Sequence, residues 1–552
     1  MAIETNLTLE RRQAMVASGA WNDMLLTDYL DDAVASAANR PAIVTYRMTD
    51  EARDSLTYHE LNETVVRIAA GLAGLGVAKG DVVSCQLPNW WQMTALHLAC
   101  VRIGAVLNPL MPIFREHELR YMLDQADSKV LVVPGTFRGF DHAAMARRLK
   151  TELGSLEQVL EIGGQGEDGF EAVLLERAWE QEMNTAALFR ERRPGGDDVV
   201  QLLYTSGTTG KPKGVMHTSN TLMSHIRPFV TRLGLGNDDT VFMPSPLAHQ
   251  LGFLYGLMMP IYLKATAVLQ DTWKPADAVT IIRAETPSLM LGSTPFLADI
   301  AEQAEAHGPD LQSLKLFMCA GAPIPSSLVE KAARNLPTRI ISAWGMTENG
   351  AVTTTRPGDD PSRAVHTDGL PLPFMELKVT DLEGNTLPPG EEGPLYVRGA
   401  SLFVGYFKQP ELYGVDAEGW FPTGDLARLD EQGYVRITGR SKDVVIRGGE
   451  NIPIVDIENA LYQHPAIQAV ALVGRPDERL GERLCAYVTL KEGHESLTLA
   501  EVTAFLTERQ VTRQYQPEFL EVLDELPRTP SGKIQKFKLR EQANQAVPPL
   551  SA

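Results

Sequence analysis

Over roughly residues 56–269, stretches with apolar side chains at helical spacing alternate with short, continuous apolar runs. Residues 61–75 and 91–103 read as amphipathic helices, and 82–87 and 130–133 as buried strands. Alternation of this kind packs as α/β layers with much parallel sheet. The rhythm returns over 278–344, with strands expected at 289–291, 316–319 and 340–343. Beyond Gly369 the runs shorten to β character at 377–380, 393–398 and 434–437, broken by Asp, Gly and Pro, which suggests a β-barrel or meander. A polar stretch, Gly439-Arg440-Ser441-Lys442-Asp443, then precedes a compact α/β unit and reads as a hinge. The expected fold class is therefore α/β. A large N-terminal domain (1–440) would hold two α/β subdomains plus the β-barrel, followed by a small mobile α+β C-terminal domain (441–552).

Composition narrows the function. With 552 residues the chain exceeds a single core. Its 51 basic and 70 acidic residues give a formal charge of −19, which disfavours general affinity for nucleic acid or anionic membrane. An anionic substrate would need a local basic site. Four cysteines (Cys85, Cys100, Cys319, Cys485) are scattered in apolar segments and read as buried thiols without metal spacing. The acidic start lacks a signal-peptide pattern, so a cytoplasmic protein is expected. The longest apolar stretch, 251–263, contains Pro260, is too short to span a bilayer, and reads as a buried helix lining a pocket. The tail after Gln542 is expected to be disordered.

The densest chemistry lies between Tyr204 and Gly214, Tyr-Thr-Ser-Gly-Thr-Thr-Gly-Lys-Pro-Lys-Gly, with three glycines, four aliphatic hydroxyls and two lysines. Glycines let backbone N–H groups approach an anion, hydroxyls add donors, and lysines neutralise charge, so a nucleotide triphosphate fits. The spacing is not that of a Walker A loop, since two residues separate Gly207 from Gly210 and Pro212 follows Lys211. A glycine-rich hairpin turn is the plainer alternative. By contrast Gly164-Gln-Gly166-Glu-Asp-Gly169 matches a dinucleotide fingerprint, but Glu167 and Asp168 would repel a pyrophosphate, and a solvated loop is expected.

Three further segments each have an ordinary reading. Ala343-Trp344-Gly345-Met346-Thr347-Glu348 places a hydroxyl and a carboxylate at a strand's C-terminal edge, where ligands collect, and equally fits a helix N-cap. Phe421-Pro422-Thr423-Gly424-Asp425 reads as a tight turn whose acid could accept both hydroxyls of a ribose. Pro527-Arg528-Thr529-Pro530-Ser531-Gly532-Lys533-Ile534 presents a lysine at a stiff loop tip, where a solvated lysine is the default.

In this order the four segments resemble the adenylate-forming acyl-CoA synthetase superfamily, from about Asn22 to Arg540, and within it short- and medium-chain fatty acyl-CoA synthetases and cyclohexanecarboxylate-CoA ligases. The resemblance implies that Thr205, Ser206, Gly207, Thr208, Thr209 and Lys213 hold the β- and γ-phosphates of ATP. Gly321, Ala322 and Pro323 would wall one side of adenine and Trp344 the other. Thr347 would touch the α-phosphate, Glu348 bind Mg²⁺, and Asp425 and Arg440 hold the ribose. His249 would lie near the carboxylate and phosphate, a satisfied core histidine being the alternative, and Lys533 would bridge the substrate carboxylate and α-phosphate. Lys442 falls at the family's hinge, and Gly448 and Gly449 would line the pantetheine channel of coenzyme A. Pro453 and Asp456 depart from the family's usual pattern after that loop.

The implied reaction is an AMP-forming ligation of a carboxylic acid to coenzyme A through an acyl-adenylate. A rotation about Lys442 would withdraw Lys533 between the half-reactions and bring Gly448 and Gly449 to the channel. Segments 251–256, 292–296 and 344–346 carry no charged side chain, which favours an apolar medium-chain or alicyclic acid over an amino acid. The expected partners are small molecules (acid, ATP and CoA), with no nucleic acid and no stable membrane insertion; a homodimer is left open. Loading of a carrier protein shares every nucleotide residue and is the main alternative. A luciferase-like oxygenase and a non-catalytic AMP sensor are weaker, the latter because Lys533 and Glu348 are both present.

Overall fold

The computed structural model describes residues 3–205, 212–307, 311–321, 324, 326–381, 383–440, 445–447, 450–452, 454–477, 479–509, 511–529 and 532–545. Its largest sheet has nine strands. Alternating strands and helices build a parallel centre of six strands, which runs from Arg339–Met346 through Leu316–Ala320, Leu289–Gly292, Thr240–Met243 and Thr266–Gln270 to Pro41–Arg47. Antiparallel strands close both edges: Ala52–Thr57 on one side, Gly350–Thr354 and then Leu370–Pro371 on the other. Strand order reverses beside Thr240–Met243, which makes a crevice at the carboxyl ends there a natural ligand site.

A second, six-stranded sheet is parallel except at its edge, where Val199–Thr205 and Lys213–Thr218 pair antiparallel, Thr205 opposite Lys213. Helices packed against both sheets, among them Tyr58–Gly74 and Trp91–Ile103, share one core with Leu61, Leu98, Phe229 and Phe253, all fully buried. The third sheet is a four-stranded antiparallel meander, Met375–Val379, Gly393–Gly399, Phe421–Leu429 and Val435–Arg440. A five-stranded sheet built on the long pair Ile467–Asp477 and Gly481–Leu490, with its own core, makes up the smaller C-terminal part.

Several expectations need correction. Met346 to Gly350 is a turn between antiparallel strands, so Thr347 and Glu348 do not cap a helix. Asp425 is not on a turn: it lies within Phe421–Leu429, where Pro394 pairs with Leu426 while Tyr396 pairs with Pro422, and the extra residues bulge around Gly424 at φ +76°. Residues 250–263 are helical in three short pieces, α, π and α, with Pro260 near the start of the last. The C-terminal helix Lys536–Gln545 continues past Gln542, because Ala543 packs into the core beside Leu539. The acidic glycine segment forms only a short, exposed 3-10 turn, Gly166–Asp168. All four cysteines are buried and free. Among the described residues, no helix is long and apolar enough to cross a membrane.

Candidate active site

Carboxyl ends of the parallel strands all point to one edge, and the sequence-predicted residues gather there. Thr240–Met243 leads to His249, Leu289–Gly292 to Ser293, Leu316–Ala320 to Gly321, and Arg339–Met346 to Thr347 and Glu348. Ala320 pairs with Ala343, which sets Gly321 beside Trp344 across two adjacent strand ends. The bulged strand of the meander supplies Asp425, whose Oδ2 accepts the Trp344 indole N–H at 2.9 Å. Its Oδ1 lies 3.2 Å from the Arg440 guanidinium. One carboxylate thus fixes the indole and holds a half-exposed arginine at the mouth of the cleft.

Glu348 is buried, and its Oε1 accepts the Tyr406 hydroxyl at 2.8 Å. Burial pushes this carboxyl above its ordinary range, opposed by the Tyr406 bond and by the positive charges of Arg440 and Lys213. Tyr406 sits where 403–407 runs beside Lys213–Thr218, with main-chain bonds Met216 N–H to Gly405 O and Phe407 N–H to Gly214 O. Its ring faces the Lys213 ammonium at 5.0 Å. One tyrosine therefore bridges the end of the glycine-rich segment and the acidic turn.

From the C-terminal sheet, a loop brings Lys533 into the same cleft. The loop closes on itself through Thr529 N–H to Lys533 O at 2.7 Å, Lys533 N–H to Thr529 Oγ1 at 3.0 Å, and the Arg528 guanidinium to Gly532 O at 2.8 Å. Gly532, at φ +84°, lies so near Ser293 that a Cβ would come 3.1 Å from its hydroxyl. Lys533 passes over Gly321, where a Cβ would come 2.9 Å from Cε. Burial and the Arg440 charge push its ammonium below the ordinary lysine range, against the pull of Asp425 and Glu348. Asp425 is likewise raised by burial and lowered by Arg440, Trp344 and Lys533. His249 is pushed down to about 4, by burial first and then by Lys533, so its ring is neutral at pH 7.

Two carboxylates and three cations (Lys213, Arg440, Lys533) thus converge on one crevice, a surplus of positive charge suited to phosphates and a carboxylate. The structure brings together His249, Lys213, Gly321, Trp344, Thr347, Glu348, Asp425, Arg440 and Lys533, with Thr205 paired to Lys213. Ser206, Gly207, Thr208, Thr209, Ala322, Pro323, Lys442, Gly448 and Gly449 lie outside the described residues. Tyr406 was not anticipated: a tyrosine after Gly405 in an apolar run reads as core. Nor was His217, whose Nε2–H donates to the Thr347 carbonyl at 2.8 Å.

Comparison with known proteins shows the family. Residues 30–407 match the model of the AMP-binding enzyme family, and residues 456–533 that of the AMP-binding enzyme C-terminal domain. A medium-chain fatty-acid–CoA ligase of Escherichia coli (strain K12) is 37% identical over 543 residues, covering 98% of this chain and 94% of that protein. A salicylyl-CoA synthase / salicylate adenylyltransferase of a Streptomyces species is 32% identical over 95% of this chain and 94% of its own. Among solved structures, the anthranilate CoA ligase AuaEII in complex with anthranoyl-AMP superposes with a TM-score of 0.84 at 27% identity, covering 95% of this chain and 98% of that one. The chain belongs to the AMP-binding enzyme family, as an AMP-forming acid–thiol ligase of the adenylate-forming acyl-CoA synthetase superfamily.

Proposed function

We propose that this ligase activates medium-chain fatty or alicyclic, cyclohexanecarboxylate-like acids and transfers them to free coenzyme A. The observation that carries the substrate class is the apolar segment that follows His249. Phe253, Leu254, Tyr255, Leu257 and Met258 are all buried there and no charged side chain interrupts them. An amino acid substrate would need a buried carboxylate for its ammonium group. The similarity to a medium-chain fatty-acid–CoA ligase points the same way.

In this reading the substrate acid is already ionised, so no strong general base is required, and its oxygen attacks the α-phosphorus of ATP as diphosphate leaves. The barrier is the crowding of anions. Lys533 lowers it by spanning the incoming carboxylate and the α-phosphate; Thr347 donates its hydroxyl nearby, and Lys213 with Thr205, Ser206, Gly207, Thr208 and Thr209 grips the leaving diphosphate. Trp344, pinned by Asp425, stacks on adenine opposite Gly321, Ala322 and Pro323, and Asp425 and Arg440 take the ribose. His249, neutral at working pH, offers a ring nitrogen beside the carboxylate without adding charge.

The donor set fits Mg²⁺. Glu348 presents hard oxygens, and no cluster of three metal-ligating side chains occurs among the described residues, as suits an ion that takes one or two carboxylates plus substrate phosphates. Bound there, it would neutralise phosphate charge. After adenylation a rotation at Lys442 would separate residues 1–440 from 441–552, withdraw Lys533, and bring Gly448 and Gly449 to the thiol's path, so that sulfur displaces AMP.

An AMP-release assay with CoA across butyrate, octanoate, palmitate, benzoate and cyclohexanecarboxylate tests the proposal. The highest kcat/KM is expected for octanoate or cyclohexanecarboxylate. Preference for benzoate overturns the substrate class. Adenylate formation without AMP release on adding free CoA assigns the acceptor role to a carrier protein instead.

A further inference from the structure

The turn that carries Thr347 and Glu348 is anchored through three consecutive carbonyls. Glu348 O accepts the Phe403 N–H at 2.7 Å, Asn349 O accepts the Ser401 hydroxyl at 3.0 Å, and Thr347 O accepts from His217 Nε2 at 2.8 Å. The first two donors belong to 401–403. The third comes from elsewhere, the strand Lys213–Thr218, which begins with the lysine at the end of the glycine-rich segment. A carbonyl can only accept, so His217 Nε2 carries the hydrogen, and Nδ1 meets the Thr221 hydroxyl at 3.0 Å. Both ring nitrogens are thus engaged on a side chain with no exposed surface.

A second buried ring supports the first. His225 lies 5.9 Å from His217 at 72°, edge to face, and presses on Gly350, where a Cβ would come 2.3 Å from its Nδ1. Gly350 itself has φ +56°. The turn therefore rests on two imidazoles, one bonded to its start and one packed under its end.

We propose that His217 is a positioning residue for the nucleotide site: through the Thr347 carbonyl it holds the turn in register with the Lys213 strand, and so aims Glu348 at the Mg²⁺ of the bound nucleotide. This rests on the reading of Glu348 as the magnesium ligand. Groups bonded directly to a metal ligand commonly change metal affinity by roughly 10–100-fold when lost, and His217, acting through the main chain of the turn, is set at the low end of that range. Glutamine can place an amide N–H near the position of His217 Nε2; leucine cannot.

The test compares the full-length parent with His217→Leu and His217→Gln by two readouts. One is the Mg²⁺ concentration that half-saturates octanoate-dependent ATP–diphosphate exchange. The other is the extra rise in thermal midpoint that Mg²⁺ gives over ATP with EDTA, without acid. His217→Leu is expected to raise the half-saturating Mg²⁺ about tenfold and to lose most of the extra rise, with His217→Gln restoring both to within about threefold. If the parent shows no magnesium-dependent rise, the metal reading of Glu348 fails and the proposal falls with it. If the parent shows one and His217→Leu keeps the parent's half-saturation, or His217→Gln is no better than leucine, the positioning role alone is overturned. Should His217→Leu not unfold cooperatively, Thr221→Val, which removes the hydroxyl at Nδ1, decides: a rise of about threefold in half-saturating Mg²⁺ supports the proposal and no change overturns it.

Discussion

Two loops deliver charge to the same crevice by opposite means. The 346–350 turn is held at each step, by carbonyl bonds to His217, Phe403 and Ser401 and by the Glu348–Tyr406 bond, with Gly350 wedged against His225. Around Thr529 and Lys533 the chain bonds back to itself, Thr529 to Lys533 and Arg528 to Gly532, and it meets the large domain by packing of Gly532 on Ser293 and of Lys533 over Gly321 and by charge, Lys533 with Asp425 and Glu348 and Arg528 with Asp299. A carboxylate that must stay buried needs a fixed mount, since a misplaced buried charge is costly. A lysine that, as proposed, serves one half-reaction and leaves for the next needs a loop that keeps its own shape wherever it sits. On the proposed mechanism the turn is the reference frame and the loop the moving part.

Breaking the moving part should have the largest effect. Lys533→Ala removes the cation that offsets converging anions and is expected to lower ATP–diphosphate exchange on the order of 10²–10³-fold, as loss of one preorganised electrostatic donor does. Its thermal midpoint should stay near the parent's, because Lys533 is half-buried and its surroundings disfavour its charge. A fall in exchange of less than about tenfold would remove Lys533 from the adenylation step.

Breaking the fixed part should show first as lost stability. Gly350→Ala forces a Cβ into the left-handed region and onto His225, for an expected cost of about 2–4 kcal/mol from backbone strain plus overpacking. Urea unfolding measures it. An unchanged midpoint would mean that the turn is looser than its bonds imply.

Acid should act more gradually, and across the large domain. Burial pushes His97 to about 3, and His142, His217 and His249 to about 4. Between about pH 6.5 and 4 the unfolded chain binds protons that these folded rings refuse, so stability falls as pH falls, by roughly 1.4 kcal/mol per ring per pH unit. His97, with neither ring nitrogen bonded among the described residues, is the cleanest probe. His97→Leu should flatten the dependence by about one proton, and an unaltered slope would contradict the assignment.

The sequence made some of this legible and hid the rest for physical reasons. Helix Trp91–Ile103 was readable in extent but not in character, being buried on nearly every side and not amphipathic. The parallel strands were readable because each buries a continuous local run, whose burial does not depend on which neighbour covers it. Glu348 and Lys533 were readable as motifs. The turn form of 346–350 was not, since Thr-Glu after a strand suits a cap until Gly350–Thr354 pairs back. Asp425 was misread because Pro-Thr-Gly-Asp has turn chemistry, while pairing with Gly393–Gly399 converts it into a bulged strand. Tyr406 and His217 were invisible for the same reason at longer range: Val215 bridges Tyr406, and His217 meets Thr347, across 191 and 130 residues of chain. The strand Pro41–Arg47 likewise finds its parallel partner, Thr266–Gln270, only in the folded sheet.

The division of labour between the loops is tested most directly by giving the Lys533→Ala protein chemically made octanoyl adenylate and CoA and timing thioester formation. The account predicts a rate within about threefold of the parent while diphosphate exchange by the same protein is nearly lost. Loss of both reactions to the same degree would contradict it.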